Sequence, residues 1–283
     1  MAKDTFFNKK TTLNARGKLI DLSTPEVMGI INITPDSFYA GSRHQNTGAA
    51  LQQAGKMLAD GAAILDIGAY SSRPGATDIP VQEETDRLLP AIEAIAKAYP
   101  DAILSVDTFR ASVAEAAINA GAHIINDISG GQLDAGMFAA VAKLRVPYIL
   151  MHMKGTPQTM VQQAQYSNVF NEVYDYFTER YAQLKASGVT DVILDPGFGF
   201  AKAHEHSYEL MHRLHDFRAL GLPLLAGVSR KRMIWQLTGG AAADALNGTT
   251  VLNTIALTKG ANILRVHDVK EAVEAVKLWQ KCG

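Results

Sequence analysis

An α/β fold of the closed (β/α)8 TIM barrel type, in one domain over 1–283 with the barrel proper at about 27–281, follows from three observations. Short runs of Ile, Val and Leu alternate with longer, Ala-rich stretches of helical spacing. The alternation repeats eight times in about 255 residues, the count and size of such a barrel. No linker, low-complexity tract or composition break interrupts the 283 residues. A doubly wound open sheet would use fewer strands and carry a glycine fingerprint at its first turn.

The elements follow in order. TLNARGKLIDL, within the first 22 residues, reads as two short strands around a Gly turn, a hairpin expected to cover the N-terminal (bottom) end of the barrel. VMGIINIT (27–34) opens the barrel and leads to a helix near 47–60. AILDIGA (63–69) precedes a helix over 81–98, AILSVDT (102–108) one over 110–120, and HIINDI (123–128) one over 134–144. PYILMH (147–152) leads to 168–187, DVILDP (191–196) to 205–219, PLLAGVS (223–229) to 231–258, and NILRVHD (262–268) to 269–281. Gly61, Gly121, Gly188, Gly221 and Gly260 stand where helix C-caps belong.

Composition narrows the function classes. The chain is 47% hydrophobic and 19% charged, with a formal net charge of -1, which disfavours nucleic acid or an anionic membrane as partner. The short basic run Arg230–Arg232 does not outweigh that balance. A single cysteine, Cys282, excludes an internal disulfide and suits a reducing compartment. The first residues lack the apolar region of a signal peptide, and no stretch is long and apolar enough to span a bilayer. A soluble, cytoplasmic protein is expected.

The barrel's active end lies at the C-terminal ends of its strands. Those ends read Asn32, Asp66, Asp107, Asn126 with Asp127, His152, Asp195, Ser229 with Arg230 and Lys231, then Arg265 and His267. Every strand ends polar while its body stays apolar. Burying acids is costly without partners, so the ring belongs to a site. It divides by charge. Asp107, Asn126 and Asp195 present acceptors that suit the amino–imino edge of a flat nitrogen heterocycle. Asn32, Arg265, His267 and the loop residue Arg73 form a cationic arc suited to a di- or triphosphate and its cation.

Two long loops, Thr34 to Gly48 and Ala69 to Gln82, follow strands beside that arc, where lids and second-substrate contacts are placed. Ser229-Arg230-Lys231 begins a helix whose backbone N–H groups are expected to favour a carboxylate, with Lys231 reaching inward.

Plainer readings apply to several residues. Asp66 serves either the site or the attachment of the second loop. His152 reads as a satisfied rim histidine, and His204, His206, His212 and His215 as a solvated helix face rather than a metal centre. GFGFAK is no dinucleotide loop, since Lys202 replaces the third glycine. Met151, Met153 and Met211 read as core or pocket wall.

Laid out in order, MGIINITPDSF, DIGAYSSRPGA, SVDT, INDISGG, LMHMKGTP, LDPGFGF, GVSRK and RVHDV resemble the dihydropteroate synthases over Val27 to Lys270. That resemblance implies joining of 6-hydroxymethyl-7,8-dihydropterin diphosphate to p-aminobenzoate in folate synthesis, inhibition by sulfonamides, and a homodimer. Matched motif by motif, it implies pterin binding by Asp107, Asn126, Asp195 and Lys231, and diphosphate binding by Asn32, Arg73, Arg265 and His267. Asn32 is also implied as a Mg²⁺ ligand. Ser72, Pro74, Phe200 and Ser229 match p-aminobenzoate positions. Asp107, Asp195, Lys231 and Arg73 would carry the catalytic work.

An arylamine nucleophile is neutral at pH 7, so no strong general base is needed. Departures from the family pattern fall in the loops: Tyr39-Ala40-Gly41-Ser42-Arg43, Ser72 for the common Thr, and Ala203 and Ser207 for Thr and Asn. The competing readings are a corrinoid-dependent pterin methyltransferase, a Schiff-base aldolase using Lys231, and a non-catalytic pterin-binding paralogue.

Overall fold

In the computed structural model, which describes residues 10–33, 43–73 and 75–282 (43–46 by backbone alone), each apolar run becomes a strand. The hairpin comprises β1 (Thr12–Ala15) and β2 (Lys18–Asp21), paired antiparallel. The barrel strands are β3 (Glu26–Asn32), β4 (Ile64–Gly68), β5 (Ile103–Asp107), β6 (Ile124–Asp127), β7 (Tyr148–Met151), β8 (Val192–Asp195), β9 (Leu225–Ala226) and β10 (Ile263–Val266). They pair in parallel in the order β8-β7-β6-β5-β4-β3-β10-β9. A bridge from Leu194 to Leu224, with the Leu194 N–H donating to the Pro223 carbonyl at 2.9 Å, joins β8 to β9 and closes the ring.

Side chains alternate cleanly across these strands, as a period of two requires. One set, including Val27, Leu65, Leu104, Ile125, Tyr148, Leu194 and Leu264, packs outward against the helices. The other set fills the barrel. Its lowest layer comprises Met28, Ile64, Ile124, Ile149, Ile193, Leu225 and Ile263, covered from below by Leu13, Ala15, Ile20 and Leu22 of the hairpin segment. Lys18 extends the cover, donating to the carbonyls of Pro100 (2.6 Å) and Ala102 (3.0 Å).

The helices are α1 (Arg43–Ala59), α2 (Val81–Ala98), α3 (Ala111–Asn119), α4 (Met137–Leu144), α5 (Val169–Ala186), α6 (His204–His212), α7 (Arg232–Thr238), α8 (Leu246–Thr258) and α9 (Val269–Cys282). Asn168 caps α5, its side chain accepting the Asn171 N–H at 2.9 Å. The five C-cap glycines all adopt positive φ. Two helical stretches are shorter than the sequence pattern suggests. The one expected over 231–258 splits into α7 and α8, because Gly239 turns left-handed (φ 73) at the end of α7. The stretch near 205–219 gives α6 and then a 3-10 turn over Leu214–Leu220.

Candidate active site

The inward-facing set turns polar towards the C-terminal ends of the strands. Above the apolar floor stand Asp66, Ser105 and Arg265, and above them a row in register across four strands: Asn32, Gly68, Asp107 and Asn126. Gly68 leaves the row open; a Cβ there would lie 3.2 Å from the Asp107 Cβ.

Arg265 organises this layer. Its Nε donates to Asp66 Oδ2 and its Nη2 to Asp107 Oδ2, each at 2.6 Å. Asn126 Nδ2 donates to the same Asp66 Oδ2 at 2.9 Å. Two expectations change here. The acidic and cationic arcs are not separate, since Arg265 reaches from β10 across the mouth to acids on β4 and β5. Asp66, 0% exposed, bonds to no described residue of the second loop and instead holds two of the expected ligand-binding side chains. Burial pushes Asp107 up to about 7, against the opposing pull of Arg265 and with help from the Asp66 charge. At neutral pH the site therefore holds a carboxyl poised between its two forms.

Asp195 (5% exposed) ends β8, and its Oδ1 accepts the Gly197 N–H at 2.8 Å. Gly197 is required here: φ is +69, and a Cβ would lie within 2.2 Å of the His152 carbonyl oxygen. Burial raises the Asp195 pKa, opposed by Lys231, the Gly197 N–H, Arg265 and Lys202. Lys231 Nζ donates to the Phe198 carbonyl at 2.5 Å and lies 4.7 Å from the centroid of the Phe200 ring. Burial lowers the Lys231 pKa to about 8, partly offset by Asp195.

Lys202 was missed as a functional residue. Buried, its Nζ lies 2.9 Å from His152 Nδ1 and donates to the His152 carbonyl (3.1 Å) and the Phe200 carbonyl (3.0 Å), while burial holds its pKa well below the ordinary lysine value. It pins the loop carrying Phe200 to the end of β7. Tyr166 adds a bond to the Ala201 carbonyl (2.9 Å), and Ser207, one of the departures, accepts the Gly199 N–H (3.3 Å). The signal was present in GFGFAK, but nothing near it in the chain announces a partner 50 residues away.

On the cationic side, Ser229 Oγ lies 3.0 Å from His267 Nδ1 and accepts the His267 backbone N–H at 3.1 Å. The hydroxyl thus holds both the backbone and the ring of His267, and which atom of the Oγ–Nδ1 pair donates follows the ring tautomer. His267 keeps an edge open to solvent, yet the protein packed around it lowers its pKa to about 4, aided by Arg265, Arg230 and Arg73. Arg73 is exposed and Ser72 half-buried in the second loop; Pro74 and the first loop from Thr34 to Ser42 lie outside the described residues. Arg230 does not face a ligand: it pairs through two bonds of 2.8 Å with Asp268 and reaches the Ala242 and Ala243 carbonyls.

The expected N–H cradle is already occupied in part. The Arg230 N–H goes to Thr249 Oγ1 (3.0 Å) and the Lys231 N–H to the Val228 carbonyl (3.1 Å). Asp127 faces outward rather than into the mouth, accepting from Tyr148 OH, Ser129 and Gly131 at 2.7–2.8 Å. His152 is a satisfied rim residue, its pKa held well below the usual value first by burial and then by Lys202.

Fold and site together define a pterin-binding barrel enzyme: the pattern of the family described as "Pterin binding enzyme" matches residues 28–267. The chain belongs to the dihydropteroate synthase family within that class. It is 44% identical over 268 residues to dihydropteroate synthase of Escherichia coli K12, covering 94% of each chain. It superposes at a TM-score of 0.90 on the Xanthomonas albilineans dihydropteroate synthase with 4-aminobenzoic acid (40% identity, 96% of this chain and 98% of that one). The Yersinia pestis enzyme in a sulfonamide drug complex matches equally, at 0.90 and 43% identity over 96% and 98%.

Proposed function

We propose that the protein transfers the pterinylmethyl group of 6-hydroxymethyl-7,8-dihydropterin diphosphate to p-aminobenzoate, releasing diphosphate and 7,8-dihydropteroate. A single observation carries the assignment of roles: Arg265 is bonded to Asp107 and Asp66 on one side, and its charge acts on His267, itself bonded to Ser229, on the other. A heterocycle on the acids thus carries its leaving group into the cationic arc.

In this reading Asp195 and Asn126 accept from the pterin edge, Asp107 and Lys231 face its reduced ring, and Arg265, His267 and Arg73 bind the diphosphate. A neutral His267 that carries its ring proton on Nε2 donates to a phosphate oxygen. The carbon–oxygen bond breaks first; its electron pair leaves with diphosphate, and the acid wall stabilises the pterin cation. The arylamine lone pair then forms the new carbon–nitrogen bond and the nitrogen loses its proton to solvent. Ser72, Phe200 and Ser229 border the p-aminobenzoate position, and Lys202 fixes the loop of Phe200. Asn32 offers one amide oxygen at a strand tip. Such a donor set fits a Mg²⁺ that draws its remaining ligands from water and substrate phosphates, and when bound the ion neutralises leaving-group charge.

The X. albilineans complex with 4-aminobenzoic acid and the Y. pestis complex with a sulfonamide support the second substrate and the inhibitor class. No helix of the described residues is long and apolar enough to cross a membrane, in keeping with a cytoplasmic enzyme. A homodimer is also part of this reading. Exposed Val251 and Ile255, among Thr250, Thr254 and Thr258 on α8, lie on the outer wall away from the mouth, and a second copy would cover them. Sedimentation of the purified chain is expected to give twice the monomer mass.

Diphosphate release, followed with and without p-aminobenzoate and Mg²⁺, tests the central claim. Mg²⁺-dependent release coupled to dihydropteroate is expected. Tight pterin binding without release would support the methyltransferase or the non-catalytic paralogue instead.

A further inference from the structure

Asp66, 0% exposed, is the least accessible acid that faces the barrel mouth. Its Oδ2 accepts from Asn126 Nδ2 (2.9 Å) and from Arg265 Nε (2.6 Å), while its Oδ1 has no hydrogen-bond partner among the described residues. A carboxylate buried with only part of its acceptor capacity used is costly to hold, so its presence here calls for an explanation.

The chemistry of the two donors supplies it. An amide side chain has a donor end and an acceptor end, and rotation by half a turn exchanges them. A carboxylate only accepts, so Asp66 draws the Nδ2 end of Asn126 down and turns Oδ1 towards the mouth. The guanidinium is fixed in the same way. With Nε on Asp66 and Nη2 on Asp107, Nη1 is the nitrogen without a partner among the described residues.

Resting on the synthase reading above, the geometry points to Asp66 as a positioning residue. It sets the acceptor face that Asn126 shows the pterin, and it selects the guanidinium edge of Arg265 that meets the diphosphate. Asp66 itself never contacts substrate. Its effect passes through one oxygen atom shared by one residue of the pterin wall and one of the cationic arc, so both halves of the first substrate depend on it. The p-aminobenzoate position does not.

A reciprocal exchange tests this. Asn126→Asp alone sets two carboxylates against each other and is expected to weaken binding of the dihydropterin diphosphate, measured without p-aminobenzoate, at least a hundredfold. Adding Asp66→Asn restores a donor–acceptor pair with an oxygen again facing the mouth, and the double variant is expected to recover at least tenfold of the loss. The KM for p-aminobenzoate in the double variant should stay within threefold of wild type. Additive losses from the two single changes would overturn the proposal, because independent residues show no coupling. Recovery accompanied by an equal rise in the KM for p-aminobenzoate would overturn it too, pointing to general distortion. The wild-type protein run alongside separates the two levels: if it fails to bind the dihydropterin diphosphate, the synthase reading falls, and Asp66 with it.

Discussion

Asp195→Ala is expected to abolish pterin binding while leaving the barrel as stable as before, or more so. Asp195 is 5% exposed at the tip of β8, and one of its oxygens is committed to the Gly197 N–H. Losing a buried, charged acceptor of a ligand's donor edge costs about 2–5 kcal/mol of binding, roughly thirtyfold to several thousandfold in Kd. Stability runs the other way. Burial raises the carboxyl pKa, only partly opposed by Lys231, the Gly197 N–H, Arg265 and Lys202. An acid whose pKa rises on folding holds its proton more tightly in the native state. It therefore subtracts stability wherever it is ionised, and the penalty fades as pH falls through the raised value. Deleting it at pH 8 removes that penalty, against the lost Gly197 bond of about 0.5–1.5 kcal/mol. Calorimetric titration with the dihydropterin diphosphate and thermal melts at pH 8 report the two quantities separately. Unchanged affinity would remove Asp195 from the site; a large drop in melting temperature would make it a structural residue.

That pattern, in which function is held against stability, is legible in the sequence only in part. The eight strands and the hairpin follow from β-branched runs and Gly punctuation, and the structure places each within a few residues of the expected span. The ring of polar tips follows too, because apolar strands have no structural use for terminal acids. What local pattern leaves open is direction and partnership. Asn126 and Asp127 are adjacent, so only one can face inward, and the choice depends on register with Asp107. Asp66 and Arg265 are 199 residues apart, and Lys202 and His152 are 50 apart; neither pair has a spacing that identifies it. The split of 231–258 was written in Gly239-Gly240, whose weight against the helical pattern of the flanking residues local propensity alone does not settle. Ser229 is the subtlest case. Expected beside p-aminobenzoate, it also bonds both the backbone N–H and the ring Nδ1 of His267, a partner 38 residues away.

Arg265→Ala is expected to damage both binding and stability, and the stability loss should depend on pH. In the wild type one guanidinium serves Asp66 and Asp107 at 2.6 Å each. Removing one partner of a buried ion pair typically costs about 3–5 kcal/mol, because the acids are left without their counter-charge. For a chain of this size that is roughly 5–10 °C in melting temperature. Asp107 already stands near 7, and loss of Arg265, which holds it down, moves it higher. With its folded pKa raised further, Asp107 takes up a proton on folding at neutral pH. The deficit of the variant against wild type is thus largest near pH 8.5 and shrinks towards pH 5.5, where the carboxyl is neutral in both proteins. Melts at those two values check this, and a deficit that grew in acid would contradict it. Binding is expected to fail for a separate reason, loss of the cation proposed to receive the diphosphate, so the KM for the pterin substrate should rise at least a hundredfold at either pH. Arg265→Lys divides the two effects. A single ammonium restores positive charge and much of the stability, but it cannot bond both acids and still present a planar edge to phosphate, so affinity should stay low. On this reading Asp195 serves the ligand at the fold's expense, whereas removal of Arg265 harms both.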